Sequence, residues 1–443
     1  MKPEIRDLSL YIHIPFCKAK CIYCDFLSFG GCGHDKQKQY IDALCKEIEI
    51  YSQTAKEYLV RTIFIGGGTP SYIDADLMEQ VMQTIYRVFQ VAEDAEITME
   101  GNPDSLKEEK LKIYKQAGIN RLSIGLQSAD DAMLRTLGRV HSYEQFIKAY
   151  QCARKIGFHN INVDVMSGLP GETEESYLHT LEKVLNLEPE HISAYSLIVE
   201  EETPLNTMEE LLKRIPSEEE DRRMYAKTKE LLQKNGYKRY EISNYAKEGF
   251  ECRHNTVYWT GGEYLGVGLG ASSYLTVWLN EDKYKKIRFH GVESIDEYIG
   301  RFSDCDGMQE DTYTNIYHFY EEESDEYGDW DVLEAFSGTE SQSSYDEYEG
   351  NELLRFLRDY YKDLYFMKRK DEMEEFMFLG LRLMEGISKE DFRKRFGVGI
   401  ESAYGSIIDK YKKKGLLIEK DGRIFLSDMG IDVSNVVMAE FML

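Results

Sequence analysis

Cys17, Cys21 and Cys24 stand at C-x3-C-x2-C spacing. Three thiolates so close in one loop can take three corners of a cubane [4Fe–4S] cluster and leave the fourth iron open to a small ligand. A zinc knuckle that adds His13 or His34 is the competing use. Structural zinc sites more often pair two cysteines with two remote ligands, and no second cysteine pair follows. The other cysteines, Cys32, Cys45, Cys152, Cys252 and Cys305, are scattered, as reduced thiols are and disulfide frameworks are not.

Polar groups suited to work beside a cluster recur at the ends of apolar runs. Thr62–Ile65 leads into Gly66-Gly67-Gly68-Thr69-Pro70-Ser71, where missing side chains let a ligand approach the backbone closely. The later glycine and Lys of a phosphate-binding loop are absent. Glu100, ahead of Gly101-Asn102-Pro103, places a carboxylate at a strand end, suited to ribose hydroxyls; a surface Glu is the plain alternative. Gln127, Arg139 and His141 add an amide, a guanidinium and an imidazole. Asp164 interrupts an apolar run, which is costly without a partner, so a ligand or Arg contact is expected.

The elements that must position these residues alternate. Strands are predicted at Leu8–Ile14, Thr62–Ile65, Glu96–Glu100, Arg121–Ile124, Asn160–Val165 and His191–Leu197, with helices near 36–52, 74–90, 106–117, 142–156 and 173–187. That alternation predicts an α/β fold with a parallel sheet, barrel-like or doubly wound, whose chemistry gathers at the carboxyl ends of the strands. Ser217 and Glu220 read as a capping box for a further helix that ends at Gly236. The Gly- and aromatic-rich stretch from Tyr237 to Trp278 reads as short strands and turns.

Residues 303–352 hold 17 Asp and Glu, six Tyr and no Lys or Arg. This acidic insertion reads as flexible, with a binding tail for a basic partner as the sharper alternative. From Glu372 to Leu443 the pattern is helix, turn, helix and a hairpin at Asp421-Gly422, a winged-helix-like outline. The expected domains are therefore 1–302, 303–352 and 353–443. The net charge of −26 argues against nucleic-acid binding, and no run approaches the roughly 18 apolar residues of a membrane span. With no apolar leader segment, a cytoplasmic protein without stable membrane insertion is expected.

In order along the chain, Y-x-H-I-P-F-C-x3-C-x-Y-C-D-F, GGGTPS, E-x-N-P, GLQS, GRVHS and D-x-x-x-GLPGET resemble the oxygen-independent coproporphyrinogen III oxidase group of radical S-adenosylmethionine (SAM) proteins. The resemblance implies a partial (β/α)6 barrel with a smaller, mostly helical C-terminal domain. It implies that Cys17, Cys21 and Cys24 hold a [4Fe–4S] cluster and that SAM fills its open iron. A one-electron donor such as flavodoxin or ferredoxin would then supply the electron that releases a 5′-deoxyadenosyl radical. It further implies that Tyr11 contacts SAM, Tyr23 lies beside the cluster, Gly67, Gly68 and Thr69 hold the methionyl part, and Glu100 holds the ribose. Gln127, Arg139 and Asp164 match positions that bind a second SAM in the oxidases.

Two departures narrow the group. The oxidases carry one more cysteine where this chain has Phe26, and a long N-terminal extension where only ten residues precede Tyr11. Conversely, His254-Asn255-Thr256-Val257-Tyr258-Trp259 resembles the H-N-x-x-Y-W motif of HemW-type heme chaperones. On that resemblance His254 offers an axial nitrogen to heme iron, and Tyr258 and Trp259 offer flat faces to the macrocycle. A buried structural histidine is the plain alternative. The implied partners are heme or a porphyrin and a heme-acceptor protein; the oxidase reaction stands as the second reading, and a homodimer is left open.

Overall fold

The computed structural model describes residues 5–278, 284–303, 352–361 and 364–442. Six parallel strands, β1 (Arg6–Ile14), β2 (Tyr58–Gly67), β3 (Gln90–Gly101), β4 (Arg121–Gln127), β5 (Asn160–Ser167) and β6 (His191–Ser196), lie side by side in chain order. Helices α1 (His34–Ile50), α2 (Ala75–Val88), α3 (Glu108–Gln116), α4 (Tyr143–Ile156) and α5 (Glu174–Leu185) connect them. This is the expected partial (β/α)6 barrel. Successive side chains of a strand face opposite sides, and here the two sides differ in chemistry. Leu8, Leu10, Ile12 and Ile14, with Ile63, Ile65, Ile97, Met99, Leu122 and Ile124, pack outward into the helix-covered core. Ser9, Tyr11 and His13, with Thr62, Glu96, Glu100, Ser123 and Asp164, occupy the alternate positions and line the inside.

Helix α6 (Glu218–Lys234) carries the expected capping box between Ser217 and Glu220. The stretch read as short strands and turns holds a helix as well, α7 (Arg253–Thr260). Its amino end is tethered inside the barrel. The Glu96 carboxylate of β3 accepts the N–H groups of Arg253 at 3.2 Å and His254 at 3.1 Å, a negative charge at the positive end of the helix. Strand β7 (Tyr264–Val267) then adds to the outer edge of β1, and the antiparallel strands Ser272–Trp278, Tyr284–His290 and Tyr365–Phe366 extend the sheet to twelve strands.

Two helices on either side of residues 304–351 pack against the barrel. Helix α8 (Ile295–Ser303) and helix α9 (Glu352–Tyr360) both bury apolar residues, Phe302, Leu354 and Leu357 among them, in the barrel core. They also meet each other: Phe302 stacks on Tyr360 at 5.9 Å, and Arg301 Nη1 donates to the Tyr360 carbonyl at 2.6 Å. Buried Glu47 of α1 accepts from Tyr298, from Tyr361 at 2.6 Å and from the Gly268 N–H at 2.8 Å, tying these parts together. The acidic insertion expected at 303–352 lies outside the described residues except for its ends, Ser303 and Glu352.

A second core follows, built on helices α10 (Arg369–Gly380), α11 (Lys389–Phe396) and α12 (Ile400–Lys413) and a three-stranded sheet. Its hairpin turns at Asp421-Gly422, both at positive φ (52° and 74°), the geometry that suits a two-residue Asp-Gly turn. The winged-helix-like outline is therefore present. Among the described residues no helix is long and apolar enough to cross a membrane.

Candidate cluster and cofactor site

The cysteines leave the carboxyl end of β1. Cys17 is buried in a two-residue pairing with Phe29–Gly30, and its Sγ accepts from Thr69 Oγ1 at 3.5 Å. Cys21 Sγ lies 3.8 Å from Arg139 Nη1, and the Cys24 N–H donates to the Cys21 carbonyl at 3.2 Å. Burial raises the Cys17 and Cys24 thiols above their ordinary range, and the neighbouring Cys21 sulfur raises both further. Three thiolates so placed need a cation among them. The side chains are not drawn together as a ready metal nest: among the described residues no three His, Cys, Asp or Glu form one. Of the imidazoles a zinc knuckle would use, His13 is taken on both sides: its Nδ1 pairs with the Tyr11 hydroxyl at 3.0 Å and its Nε2 with the Leu27 carbonyl at 2.8 Å, while exposed His34 pairs through Nδ1 with Asp74 at 2.9 Å. Three thiols without His13 suit a cluster with one open iron.

The glycine loop lies against this one. Gly68 N–H donates to the Ile14 carbonyl and Thr69 N–H to the Phe16 carbonyl, both at 2.8 Å. A Cβ on Gly68 would meet the Phe16 backbone at 2.9 Å, and one on Gly67 (φ +109°) would meet the His13 ring at 2.6 Å. The glycines thus let two loops touch, and Gly67 N–H serves Glu100 Oε2 at 3.2 Å.

Glu100 and Asp164 share the barrel interior. Burial, with Asp164 close by, pushes the Glu100 carboxyl up to about 8. Asp164 accepts from Asn162 Nδ2 at 2.7 Å and Ser123 Oγ at 3.2 Å, which meets the partner requirement without an ion pair. Arg139 Nη2 donates to the Gly125 carbonyl at 2.6 Å, beside Gln127, which sits at φ +70° where β4 bulges against β5. Tyr23 packs on Leu137, Met166 and Leu169 next to Arg139. Tyr195, which the sequence reading did not single out, is 41% exposed yet surrounded by protein near Glu100 and Asp164. Tyr11 lies near Glu100, Glu100 near Asp164, Asp164 near Arg139, and Arg139 near Tyr23 and Gln127, so these side chains share one region of the barrel interior beside the cysteine loop.

The His254 motif is elsewhere. His254 is 1% exposed, pointing from α7 into the closed end of the barrel. Its Nδ1 pairs with Thr62 Oγ1 and its Nε2 with the Tyr258 hydroxyl, each at 2.8 Å, and the ring stacks on Phe64 at 5.2 Å. Thr62, 192 positions away in sequence, meets one side of the imidazole and Tyr258, one helical turn on, the other. The Trp259 face is taken by Arg382, 4.3 Å above the ring. The cavity beside Tyr258, lined by Tyr264, Tyr274, Arg288, Glu375 and Leu379, holds about 130 Å³, below the roughly 300 Å³ at which ligand pockets begin.

Residues 11–184 match the radical SAM superfamily and residues 367–433 the HemN C-terminal domain. Over 437 residues the chain is 33% identical to the heme chaperone HemW of Bacillus subtilis, spanning 98% of this chain and 99% of that one. The chain belongs to the HemW family. HemW of Escherichia coli is 38% identical over 273 residues, 62% of this chain and 71% of that one. The solved structure of the Escherichia coli coproporphyrinogen III oxidase (HemN) superposes with a TM-score of 0.74, covering 99% of this chain and 91% of that one, at 21% identity. That likeness shows the shared fold. Radical SAM membership implies a [4Fe–4S] cluster and SAM for the HemW chain.

Two expected results follow from the barrel interior of this HemW chain. Glu100 keeps its proton in the fold up to about pH 8, whereas the unfolded chain loses it near the ordinary carboxyl value. Between those limits the folded state binds more protons, so this group's contribution to stability falls as pH rises and levels off above 8. Glu100→Gln should flatten that part of a melting-temperature profile against pH; an unchanged slope would contradict it. His254→Ala leaves the Tyr258 hydroxyl without this partner and Thr62 with Ser9 alone, around a void, which should cost about 2–4 kcal/mol in urea unfolding. A loss well below 1 kcal/mol would show that His254 is not a brace.

Proposed function

We propose that the chain is a heme chaperone, a radical SAM protein that binds heme and passes it to an acceptor protein. The end-to-end relationship to the Bacillus subtilis heme chaperone carries this reading, and Phe26 in place of the oxidases' further cysteine agrees with it. Cys17, Cys21 and Cys24 would hold the [4Fe–4S] cluster. Tyr11, Gly67, Gly68, Thr69 and Glu100 would hold SAM, with Tyr23 beside the cluster. Gln127, Arg139 and Asp164 stand ready for a further polar contact with the same or a second SAM. When bound, the cluster and SAM supply one-electron chemistry at the sulfonium. Thr69, Tyr23 and Arg139 orient the cysteine loop, and Glu100, beside Asp164, keeps a proton inside the barrel. A heme bound through His254 would first have to displace Tyr258.

The test is to add hemin to the anaerobically reconstituted protein, follow the heme spectrum, and then offer an apo-heme protein. Tight uptake and transfer are expected; absence of stable binding would refute the reading. The second reading, oxidative decarboxylation of coproporphyrinogen III, requires protoporphyrinogen and CO2 from an anaerobic assay with SAM and a reductant. No turnover is expected. An electron donor and a homodimer remain part of the proposal, testable by reduction with flavodoxin and by sedimentation.

A further inference from the structure

Of the two partners that hold the His254 ring, one is fixed and the other has room to move. Thr62, on the Nδ1 side, belongs to β2 and is itself hydrogen-bonded to Ser9 of β1 at 2.7 Å, so it stays with the sheet. Tyr258, on the Nε2 side, belongs to α7, a helix of eight residues, and borders the cavity of about 130 Å³ described above. Moving the Tyr258 hydroxyl aside is therefore the smaller rearrangement, and it bares a nitrogen that iron needs.

What keeps Tyr258 in place reaches back to the second core. The Tyr264 ring of β7 meets Tyr258 edge-on, with centroids 4.7 Å apart. The Tyr264 hydroxyl accepts from Arg288 Nη1 at 2.8 Å. Arg288 Nε and Nη2 donate in turn to the two carboxylate oxygens of Glu375, at 2.9 and 2.7 Å. Such two-pronged pairing fixes a guanidinium in direction as well as in distance. Glu375 stands on α10, so one unbroken series runs from the second core through Arg288, Tyr264 and Tyr258 to His254. Arg288, Tyr264 and Glu375 line the same cavity as Tyr258, and a shift of the pair reshapes the space open to that ring. The two side chains are 31% and 30% exposed. Ion pairs this wet add little to stability, so this one's part is direction and not strength.

Resting on the heme reading above, with His254 as the ligand, we propose that Glu375 and Arg288 are positioning residues for heme binding. They clasp Tyr258 onto His254 Nε2. Releasing the clasp lets Tyr258 turn into the cavity and frees that nitrogen for heme iron.

The test follows hemin association with the full chain, its cluster reconstituted anaerobically, by the rise of the Soret band after rapid mixing. Hydrogen exchange of the α7 amides is measured separately, without hemin. Glu375→Gln keeps the side-chain shape and removes the charge. It should speed association about fivefold, the effect of one half-exposed ion pair on the fraction of chains with Nε2 free. Exchange of the Tyr258 and Trp259 amides should rise, with iron content unchanged. Tyr258→Phe should bind at least as fast, and Glu375→Gln added to it should change nothing further. Glu440→Gln, which loosens a pair with Lys410 elsewhere in the second core's helices, should match the unsubstituted chain. If Glu375→Gln associates no faster, or speeds Tyr258→Phe as much as it speeds the unsubstituted chain, the clasp is overturned while the heme reading stands. If His254→Ala binds hemin with unchanged affinity and spectrum, the ligand assignment falls and the clasp with it. If the unsubstituted chain binds no hemin, the heme reading falls as well.

Discussion

Cys21→Ala is expected to abolish cluster assembly while leaving a folded protein. Cys21 is only partly buried, and its sulfur meets Arg139, at 3.8 Å, and the Tyr23 hydroxyl. The loop's shape is held by other contacts. Ile22 N–H donates to the Leu137 carbonyl at 3.2 Å, and Phe29 N–H to the Pro15 carbonyl at 2.7 Å. Removing one sulfur from a surface loop should therefore change unfolding free energy by no more than about 0.5 kcal/mol. A cubane held by two thiolates has two exposed irons and is lost. Iron and acid-labile sulfide should fall to background, and the visible charge-transfer absorption should vanish. Cys152→Ala, which changes a half-buried thiol on α4, serves as the control and should keep full iron. Full iron in the Cys21 variant would show that the run C-x3-C-x2-C is not the ligand set.

Gly67→Ala should act through the backbone. At φ +109° a side chain is strained by about 1–3 kcal/mol before any contact is counted. The new methyl group would also overlap the His13 ring at 2.6 Å, and that ring is fixed from both sides by Tyr11 and Leu27. Overpacking of this kind adds about 1–3 kcal/mol. A total loss of about 2–6 kcal/mol is expected in urea unfolding, with SAM binding reduced because Gly67 N–H and Glu100 move together. Gly31→Ala is the comparison. It too has positive φ, 75°, but nothing within 4 Å of the added methyl, so only the backbone strain should register. Equal losses in the two variants would remove the His13 contact from the account.

The barrel was legible in the sequence because its outward residues are apolar and its helices intervene regularly: each predicted strand lies inside or across an observed one. The cysteine loop was legible from spacing alone, since its ligands are neighbours in the chain. Helix α7 was not. His, Asn, Thr, Val, Tyr and Trp are indifferent helix formers, and what holds this helix is a carboxylate about 157 positions upstream, Glu96. Local pattern carries no trace of such a partner. The same distance concealed the burial of His254, whose motif reads identically whether its nitrogens face a ligand or Thr62.

The contact between α8 and α9 has a consequence for how this chain tolerates change in length. The chain departs from the core at Phe302 and returns at Leu354, and Arg301 and Tyr360 are hydrogen-bonded to each other. The described residues on either side of 304–351 thus enter the same core, which sets no particular length for the chain that joins them. The entropy of closing a loop grows only with the logarithm of its length. Variants shortened or lengthened within 304–351 are therefore expected to keep the barrel, as their unfolding should show. The charge, by contrast, is fully at stake: residues 304–351 carry sixteen acidic side chains and no Lys or Arg, and their excision would take the chain from −26 to −10.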